Sequence, residues 1–300
     1  MTLFAPAYYQ KFKCIAAACT HSCCVGWEID VDGNALQKYA TLSGAMGHRL
    51  QTSLEAGEDG VHFALRPDGR CPHLDDSGLC EIIKQLGEGY LCEICREHPR
   101  FYNWVGERLE CGVGASCEAA AALILAEDYT EILPLGEEEC TQNHDTCAEF
   151  DALSARKRLY AVLSDRTVPY QKRLALIEAH YALPVPSDPQ KWQAVFAALE
   201  YLDEAHKALF VSCFATSPER ATEQEMLCER FLAYLIYRHA SPAEDELSFR
   251  TSVGSALVME RLFAALLANG QPPIRAAVTV SEELEYSLDN TEAIGAALLA

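Results

Sequence analysis

The chain has 300 residues, of which 50% are hydrophobic, and a formal net charge of −20. Its length and apolar content allow one large domain or two smaller ones, each with its own core, and exclude a largely disordered chain. Both halves are acidic and neither contains a basic stripe, so the sequence argues against a nucleic-acid-binding protein. The acidic surface either serves solubility alone or attracts a lysine-rich protein partner.

The N-terminal segment and the apolar runs bear on localisation. Residues 1–13 contain no apolar run long enough for a signal peptide. The longest apolar stretch, residues 119–126, is much shorter than the roughly 20 residues of a membrane span. The sequence therefore predicts a cytoplasmic protein without a membrane segment.

Cysteines are the strongest signal, since the chain contains 14 of them and most lie between Cys14 and Cys117. The first group is dense, with Cys14, Cys19, Cys23 and Cys24 close together in the chain. Thiolates select zinc or iron-sulfur clusters, and adjacent cysteines suit ligands on a tight turn better than a disulfide pair. Disulfides would also need an oxidising compartment, which the N-terminus does not indicate.

Three further groups follow in chain order. Cys71 and Cys80 flank a turn at Asp76-Ser77-Gly78, Cys92 and Cys95 form a C-x2-C pair, and Cys111 and Cys117 come last. No group supplies a complete zinc site of the C-x2-C plus C-x2-C type, so the ligands must come from several loops. The nearby histidines His21, His73 and His98 are weaker ligand candidates. Cys140, Cys147, Cys213 and Cys228 are better explained as small buried or linker residues.

The segment from Gly112 to Gly114 is the nearest approach to a glycine-rich nucleotide loop. No alternation of strands and helices follows it, so a doubly wound nucleotide-binding fold is not expected, and a turn that presents Cys117 is favoured. The sequence identifies no catalytic residue and no cofactor-binding residue.

The second half of the chain predicts helices. An acidic, polar stretch over residues 134–147 is the best candidate for a linker. Beyond it, Trp192, Val195, Phe196, Leu199 and Leu202 form one stripe at helical spacing, and Leu227, Phe231, Tyr234 and Leu235 form another. Helix starts are predicted at Asp188-Pro189, Ser217-Pro218 and Ser241-Pro242, the last with a capping box that ends at Glu244.

These elements predict a mainly α protein. Residues 1–133 should form a loop-rich cysteine module that binds iron-sulfur or zinc, residues 134–147 a linker, and residues 148–300 a bundle-like domain of five to seven helices.

The motifs of the first part of the chain resemble those of a known family. They are Tyr9-x2-Phe12-x-Cys14-x4-Cys19-x3-Cys23-Cys24-x-Gly26-Trp27, Cys71-Pro72-x-Leu74, Gly78-Leu79-Cys80, Leu86-Gly87, Leu91, Cys95-Arg96-x2-Pro99-Arg100 and Ser116-Cys117. This order and spacing are similar to those of the flagellin lysine N-methylases and of related cysteine-cluster proteins described as zinc or iron chelators. Cys92 and Cys111 stand outside the pattern. The proline and the Ala-Arg pair that usually follow Ser-Cys are absent here, since Glu118 and an alanine run stand in their place.

The resemblance implies a protein-lysine N-methyltransferase that transfers a methyl group from S-adenosylmethionine to lysines of flagellin or a similar surface protein. It also implies a cysteine-ligated metal centre, most simply a 4Fe-4S cluster, with zinc as the alternative. Carried over position by position, its metal ligands are Cys14, Cys19, Cys23, Cys24, Cys71, Cys80, Cys95 and Cys117.

Two other interpretations are also compatible with the sequence. The cysteines could stabilise a non-enzymatic binding or scaffold protein, or they could serve a redox or metal-handling protein. Methylation would also need a base, because a lysine amine with a pKa near 10.4 is protonated at neutral pH. Tyr8, Tyr9, Tyr90 and Tyr102 are available for this, although packing is the more ordinary role for an aromatic side chain.

Overall fold

The computed structural model describes residues 2–57, 60–137, 150–213 and 222–300. The chain divides into two compact units. We call Lys13–Arg100 the cysteine unit, and Met1–Phe12 together with Phe101–Ala300 the helical unit. The cysteine unit is therefore an insertion between two parts of the helical unit.

The described strands are few and short. They are β1 (Thr2–Pro6), β2 (Leu54–Ala56), β3 (Val61–Phe63), β4 (Arg100–Val105), β5 (Arg108–Val113) and β6 (Ile132–Glu137). The order in the larger sheet is β4-β5-β1-β6, with β1 parallel to β5 and antiparallel to β6, while β2 and β3 form an antiparallel pair. Leu3 and Ala5 of β1 are buried on one side of this sheet. The first residues of the chain thus pair with residues that follow the cysteine unit.

This pairing bears on the predicted linker at 134–147. Residues 134–137 belong to β6, where Phe4 of β1 pairs with Pro134, so this part is strand and not linker. Residues 138–147, with Cys140 and Cys147, lie outside the described residues. The division that the structure shows falls at residues 12–13 and 100–101 instead.

The helices of the first part of the chain are short. They are α1 (Gly33–Thr41), α2 (Gly44–Thr52), α3 (Glu81–Leu86), α4 (Glu93–Glu97) and α5 (Glu118–Ala126). Asp32 caps α1, because its carboxylate accepts the backbone N–H groups of Asn34 and Ala35 at 3.0 Å each. The first four of these helices belong to the cysteine unit, whose core includes Ile29, Tyr39, Leu50 and Phe63.

Eight further helices follow in the described parts of residues 150–300. They are α6 (Ala152–Ser164), α7 (Tyr170–Tyr181), α8 (Pro189–Ala198), α9 (Glu204–Cys213), α10 (Thr222–Leu235), α11 (Glu246–Ala268), α12 (Pro273–Val280) and α13 (Leu288–Leu299). Two π-helical turns, Ile236–Ala240 and Ser281–Glu285, extend α10 and α12. The mainly α prediction is confirmed, although there are more helices than the five to seven expected.

The predicted stripes form much of the core of the helical unit. Trp192 and Phe196 of α8 and Phe231 of α10 are fully buried, as their helical spacing predicted. The prediction that Leu202 belongs to the first stripe is wrong, because Leu202 lies beyond the end of α8 and is 62% exposed. α11 is long and apolar enough to span a membrane by length and composition, but 72% of its most apolar window is buried inside the fold, as in a central core helix.

The predicted helix starts had different outcomes. Asp188 caps α8 through the N–H of Gln190, with Pro189 as the first helical residue, as predicted. The predicted start at Ser241 is wrong, because α11 begins at Glu246 and its cap is Asp245, which accepts the N–H of Ser248. The hydroxyl of Ser241 is buried and bonds to Arg156 and to the π-helical turn, so it is unavailable as a cap. Ser217-Pro218 lies outside the described residues.

Candidate metal centre

Five thiols of the cysteine unit lie close enough to interact electrostatically. The interactions join Cys24 to Cys71, Cys80, Cys92 and Cys95, and also join Cys71 to Cys80, Cys92 and Cys95. Cys80 also interacts with Cys92. All five pack in or against the hydrophobic core of the unit. We call these five residues the thiol cluster.

Two chain segments that lie side by side position Cys24 and Cys71. The N–H of Cys71 donates to the carbonyl oxygen of Cys24 at 2.8 Å, and Val25 forms a β-bridge with Arg70. The turn that follows Cys24 requires a positive φ, which Gly26 adopts at +92°. These backbone bonds bring together cysteines that are far apart in the sequence.

The other three members stand at the starts of short helices. Cys80 precedes α3, Cys92 precedes α4, and Cys95 is the third residue of α4. The sulfur of Cys80 accepts the backbone N–H groups of Ile82 and Ile83, and the sulfur of Cys92 accepts that of Cys95. Such N–H donors stabilise a thiolate, as they do for any anion at an N-terminal turn. The predicted turn between Cys71 and Cys80 is present as well, with Asp75 accepting the N–H groups of Ser77 and Leu79.

Burial and mutual hydrogen bonds shift the pKa values of these thiols. Burial raises the pKa of Cys71 to about 12 and also raises that of Cys80. A hydrogen bond with Cys23, followed by burial, raises the pKa of Cys24. The Cys95 thiol donates to the sulfur of Cys92, which raises the pKa of Cys95 and lowers that of Cys92. Several buried thiolates could coexist only with a nearby cation, and the donor set therefore fits a soft metal.

The spacing of the sulfurs bears on which metal fits. Within the described residues, no three cysteine sulfurs lie within 4.8 Å of one another. A tetrahedral zinc site, with Zn–S bonds of about 2.3 Å, would bring its sulfurs to about 3.8 Å apart. The thiolates of an iron-sulfur cluster lie further apart, because each binds its own iron atom. Five thiols from four chain segments supply enough sulfur ligands for either group.

The structure separates the eight predicted ligands. Cys24, Cys71, Cys80 and Cys95 come together in the thiol cluster, as described above. Cys23 is exposed, but its side chain is hydrogen-bonded to that of Cys24 at the edge of the thiol cluster. Cys14 is exposed on the segment that leads to the cluster, and the Cys19 thiol donates to the carbonyl oxygen of His21 at 2.9 Å. Cys117 is half-buried at the start of α5 and belongs to the helical unit. The assignment of these residues as ligands stays a prediction.

Cys92 was set aside on sequence, yet it lies inside the thiol cluster and is only 1% exposed. The signal that could have found it is its C-x2-C spacing with Cys95, which places a cap residue and the third helical residue on the same side of one turn. Cys111, also set aside, is buried in β5 of the helical unit. All cysteines in the described part of the chain are free of disulfides.

Two of the histidines considered as metal ligands, His73 and His98, pack against aromatic side chains. His73 is fully buried, its ring packs against Phe63 with centroids 4.7 Å apart, and its Nε2 bonds to the hydroxyl of Ser53 at 2.9 Å. Burial, with a contribution from Arg49, lowers the pKa of His73 to about 4, so the ring is neutral. His98 packs against Trp27.

A second polar site lies in the helical unit, where the loop after β5 meets the two π-helical turns. A Cβ at Gly114 would lie 2.3 Å from the Tyr286 hydroxyl and 2.7 Å from Nη1 of Arg238, so glycine permits this close approach. Gly112 likewise packs against Phe101. These glycines serve side-chain packing, and the loop leads to Cys117 at the start of α5, as the sequence analysis favoured.

The four tyrosines considered as possible bases differ in their burial and contacts. Tyr8 is buried, and its burial raises its pKa well above the ordinary value. The carbonyl oxygen of Tyr90 accepts the Tyr39 hydroxyl. Tyr102 is 44% exposed on β4, and Tyr9 packs against the core of the helical unit. These placements favour packing as the role of Tyr8 and Tyr9.

Fold and site together describe a mainly α protein with an inserted unit in which five cysteine thiols converge. The chain is similar to the flagellar biosynthetic protein FliU of Salmonella muenchen, with 27% identity over 153 residues, which cover 48% of this chain and 88% of that protein. It is also similar to proteins named lysine-N-methylase from Salmonella typhimurium and Salmonella choleraesuis, with 28% and 29% identity over 134 residues. These matches cover 42% of this chain and 33% of each methylase. No family model matches the chain, and no solved structure does.

Proposed function

We propose that this chain is a protein-lysine N-methyltransferase acting on flagellin or a similar surface protein, with S-adenosylmethionine as methyl donor. The observation that carries the proposal is the thiol cluster in a chain whose relatives include proteins named lysine-N-methylase. The flagellar name of another relative supports flagellin as the substrate.

The thiol cluster would hold a 4Fe-4S cluster, with zinc as the alternative. When bound, the metal centre would supply positive charge to the thiolates and on the order of 10 kcal/mol of folding free energy. Its four ligands would come from Cys24, Cys71, Cys80, Cys92 and Cys95, which the fold brings together from four separate segments. The electrostatic interactions among the five thiols support this assignment, and so do the backbone N–H donors to Cys80 and Cys92.

The reaction sets requirements that the chain's own residues must meet. The lysine ammonium must first lose a proton to a base, because only the neutral amine has a lone pair. The nitrogen then forms a bond to the methyl carbon, the sulfur–methyl bond breaks, and its electron pair stays on the donor sulfur. The products are a methylated ammonium and a neutral thioether. Acidic side chains can attract the lysine, but they also stabilise its protonated form.

The test is an anaerobic assay with purified protein, labelled S-adenosylmethionine and flagellin. The proposal expects label on lysine side chains of flagellin, and a flagellin with its surface lysines replaced by arginine is the matched control. An intact metal centre without any transfer would refute the methyltransferase and favour the scaffold interpretation. Iron, zinc and sulfide analysis of the same preparation decides the metal, since stoichiometric zinc in a colourless protein would refute the iron-sulfur cluster.

A further inference from the structure

A cavity of about 290 Å³ lies in the helical unit, between α11, α13 and the π-helical turn Ile236–Ala240. Its wall combines the imidazole of His239, the hydroxyls of Ser252 and Ser255, the apolar side chain of Met259 and the carboxylate of Glu292. Six of its nine lining residues are polar or charged, and Met259 supplies the largest apolar side chain. A concave site in which polar groups converge beside an apolar side chain is typical of a small-ligand site. A cavity of this size has room for a chain of four methylene groups that ends in an amine.

Behind His239 lies a buried carboxylate. The Glu285 side chain is 0% exposed, and its Oε2 is bonded to Nε2 of His239 at 3.0 Å and to the hydroxyl of Tyr234 at 2.7 Å. Nη1 of Arg238 lies 3.2 Å from the same oxygen. The other oxygen, Oε1, is buried and has no hydrogen-bond donor within the described residues.

These contacts hold the His239 ring and determine its tautomer. With an ionised carboxylate at Nε2, that nitrogen carries the proton and donates it, which leaves a lone pair on Nδ1. Burial raises the pKa of Glu285, but Arg238, His239 and Tyr234 lower it, and the net shift is downward. The carboxylate is therefore ionised at neutral pH and can stabilise a positive charge on the ring.

The backbone around this pair is also unusual. His239 and Arg238 lie on one π-helical turn and Glu285 lies on the other. π-Helical turns are rare and occur frequently at functional sites, because the extra residue in the turn redirects side chains. The Tyr234 hydroxyl, which also accepts the N–H of Ala115 at 2.9 Å, ties the pair to the loop after β5. The two π-helical turns and the loop after β5 thus hold the imidazole–carboxylate pair in position.

We propose that this cavity binds the side chain of a substrate lysine and that His239 accepts the proton of its ammonium group. The N–H bond of the ammonium breaks, the proton moves to Nδ1 of His239, and the products are a neutral amine and an imidazolium paired with Glu285. Glu292 attracts the cation, and Met259 contacts the methylene chain. His239 is the catalytic base and Glu285 is a positioning residue that keeps the ring in the required tautomer. This assignment rests on the proposed methyltransferase function for its substrate.

Binding is tested without any methyl donor, so that its outcome is independent of the methylation assay. The full chain, with labelled histidine rings, is titrated with Nα-acetyl-lysine methylamide while the NMR signal of the His239 ring is followed. The matched control ligand is Nα-acetyl-norleucine methylamide, which has a similar apolar side chain without the amine. The lysine compound should shift the His239 signal in a saturable way, and the norleucine compound should not. Ser255→Leu, which fills the cavity, should abolish the shift, while His180→Gln, a change at an exposed histidine of α7, should preserve it.

Catalysis is tested in the methylation assay. His239→Gln should lower kcat by about 100-fold or more, as expected for loss of a general base, with KM for flagellin and metal content close to those of the unaltered chain. Glu285→Gln should also lower kcat, and the circular dichroism spectra of both variants check that they fold. If the unaltered chain transfers no methyl group, the proposed function fails, while the NMR titration still decides whether the cavity binds an amine. An unmoved His239 signal, an equal shift in the Ser255→Leu protein, or full activity of His239→Gln would overturn the inference.

Discussion

Replacing Cys92 by alanine tests whether the thiol cluster holds the proposed metal. Cys92 is 1% exposed, and its side chain would leave only a small cavity, so packing alone should cost about 1 to 2 kcal/mol of unfolding free energy. If Cys92 is a ligand, the variant also loses much of the metal contribution, which is on the order of 10 kcal/mol for a structural site. The two cases therefore differ by several kcal/mol.

Cys111→Ala is the matched control, because Cys111 is 0% exposed but lies on β5 of the helical unit. Both proteins are purified anaerobically and analysed for iron, zinc and sulfide, and the cysteine unit is probed by limited proteolysis. Cys92→Ala should lose metal and become sensitive to cleavage within residues 13–100, whereas Cys111→Ala should retain its metal. Equal metal content and equal protection in the two variants would refute the assignment of Cys92 to the metal centre.

Three further predictions concern the helical unit. Arg156→Met should lower the unfolding free energy in urea by about 3 to 5 kcal/mol, because it leaves the Glu110 carboxylate, now bonded by Arg156 at 2.6 and 2.8 Å, buried without its main partner. The hydrogen bond that the His206 ring donates to the Glu283 carboxylate raises the pKa of His206. This contact therefore stabilises the fold fully below the unfolded pKa near 6.5 and is lost as pH rises through the raised value. The unfolding free energy should thus fall as pH increases across neutrality, and His206→Gln should flatten this dependence; an unchanged pH profile would contradict it. Gly114→Ala should lower the thermal midpoint, at a cost of about 1 to 3 kcal/mol, because its Cβ would lie 2.7 Å from Nη1 of Arg238, which is held by Tyr234 and Glu285.

The helices could be predicted from the sequence because each depends on local spacing. Trp192 and Phe196 repeat at helical intervals and are fully buried, and Asp188 caps α8 through its own neighbours in the chain. Division of the chain could not be predicted in this way, since it depends on β1 pairing with β5 and β6 across the inserted cysteine unit. No local pattern in Thr2–Pro6 indicates a partner more than a hundred residues away.

The buried polar groups of the helical unit were missed for a related reason. Glu285 and Arg238 look like solvent-facing residues, because charged side chains on helices are exposed in most cases. Their burial follows from two π-helical turns that face each other, and single-sequence spacing does not reveal such turns. A predicted helical stripe shows which side chains form the core, but it does not show which charged residues are enclosed with them.

The two units differ in the size of their apolar cores, and this bears on the role of the proposed metal centre. The cysteine unit, of about 90 residues, has a small core that includes Cys71 and Cys92, so a structural metal would supply stability that its apolar burial does not. The helical unit has an extensive apolar core with α11 at its centre. Loss of metal should therefore unfold the cysteine unit first and leave the His239–Glu285 pair in place. If the metal is structural alone, a demetallated chain should still bind the lysine compound while its cysteine unit becomes sensitive to protease. Loss of both properties together would show instead that the metal centre supports the amine site as well.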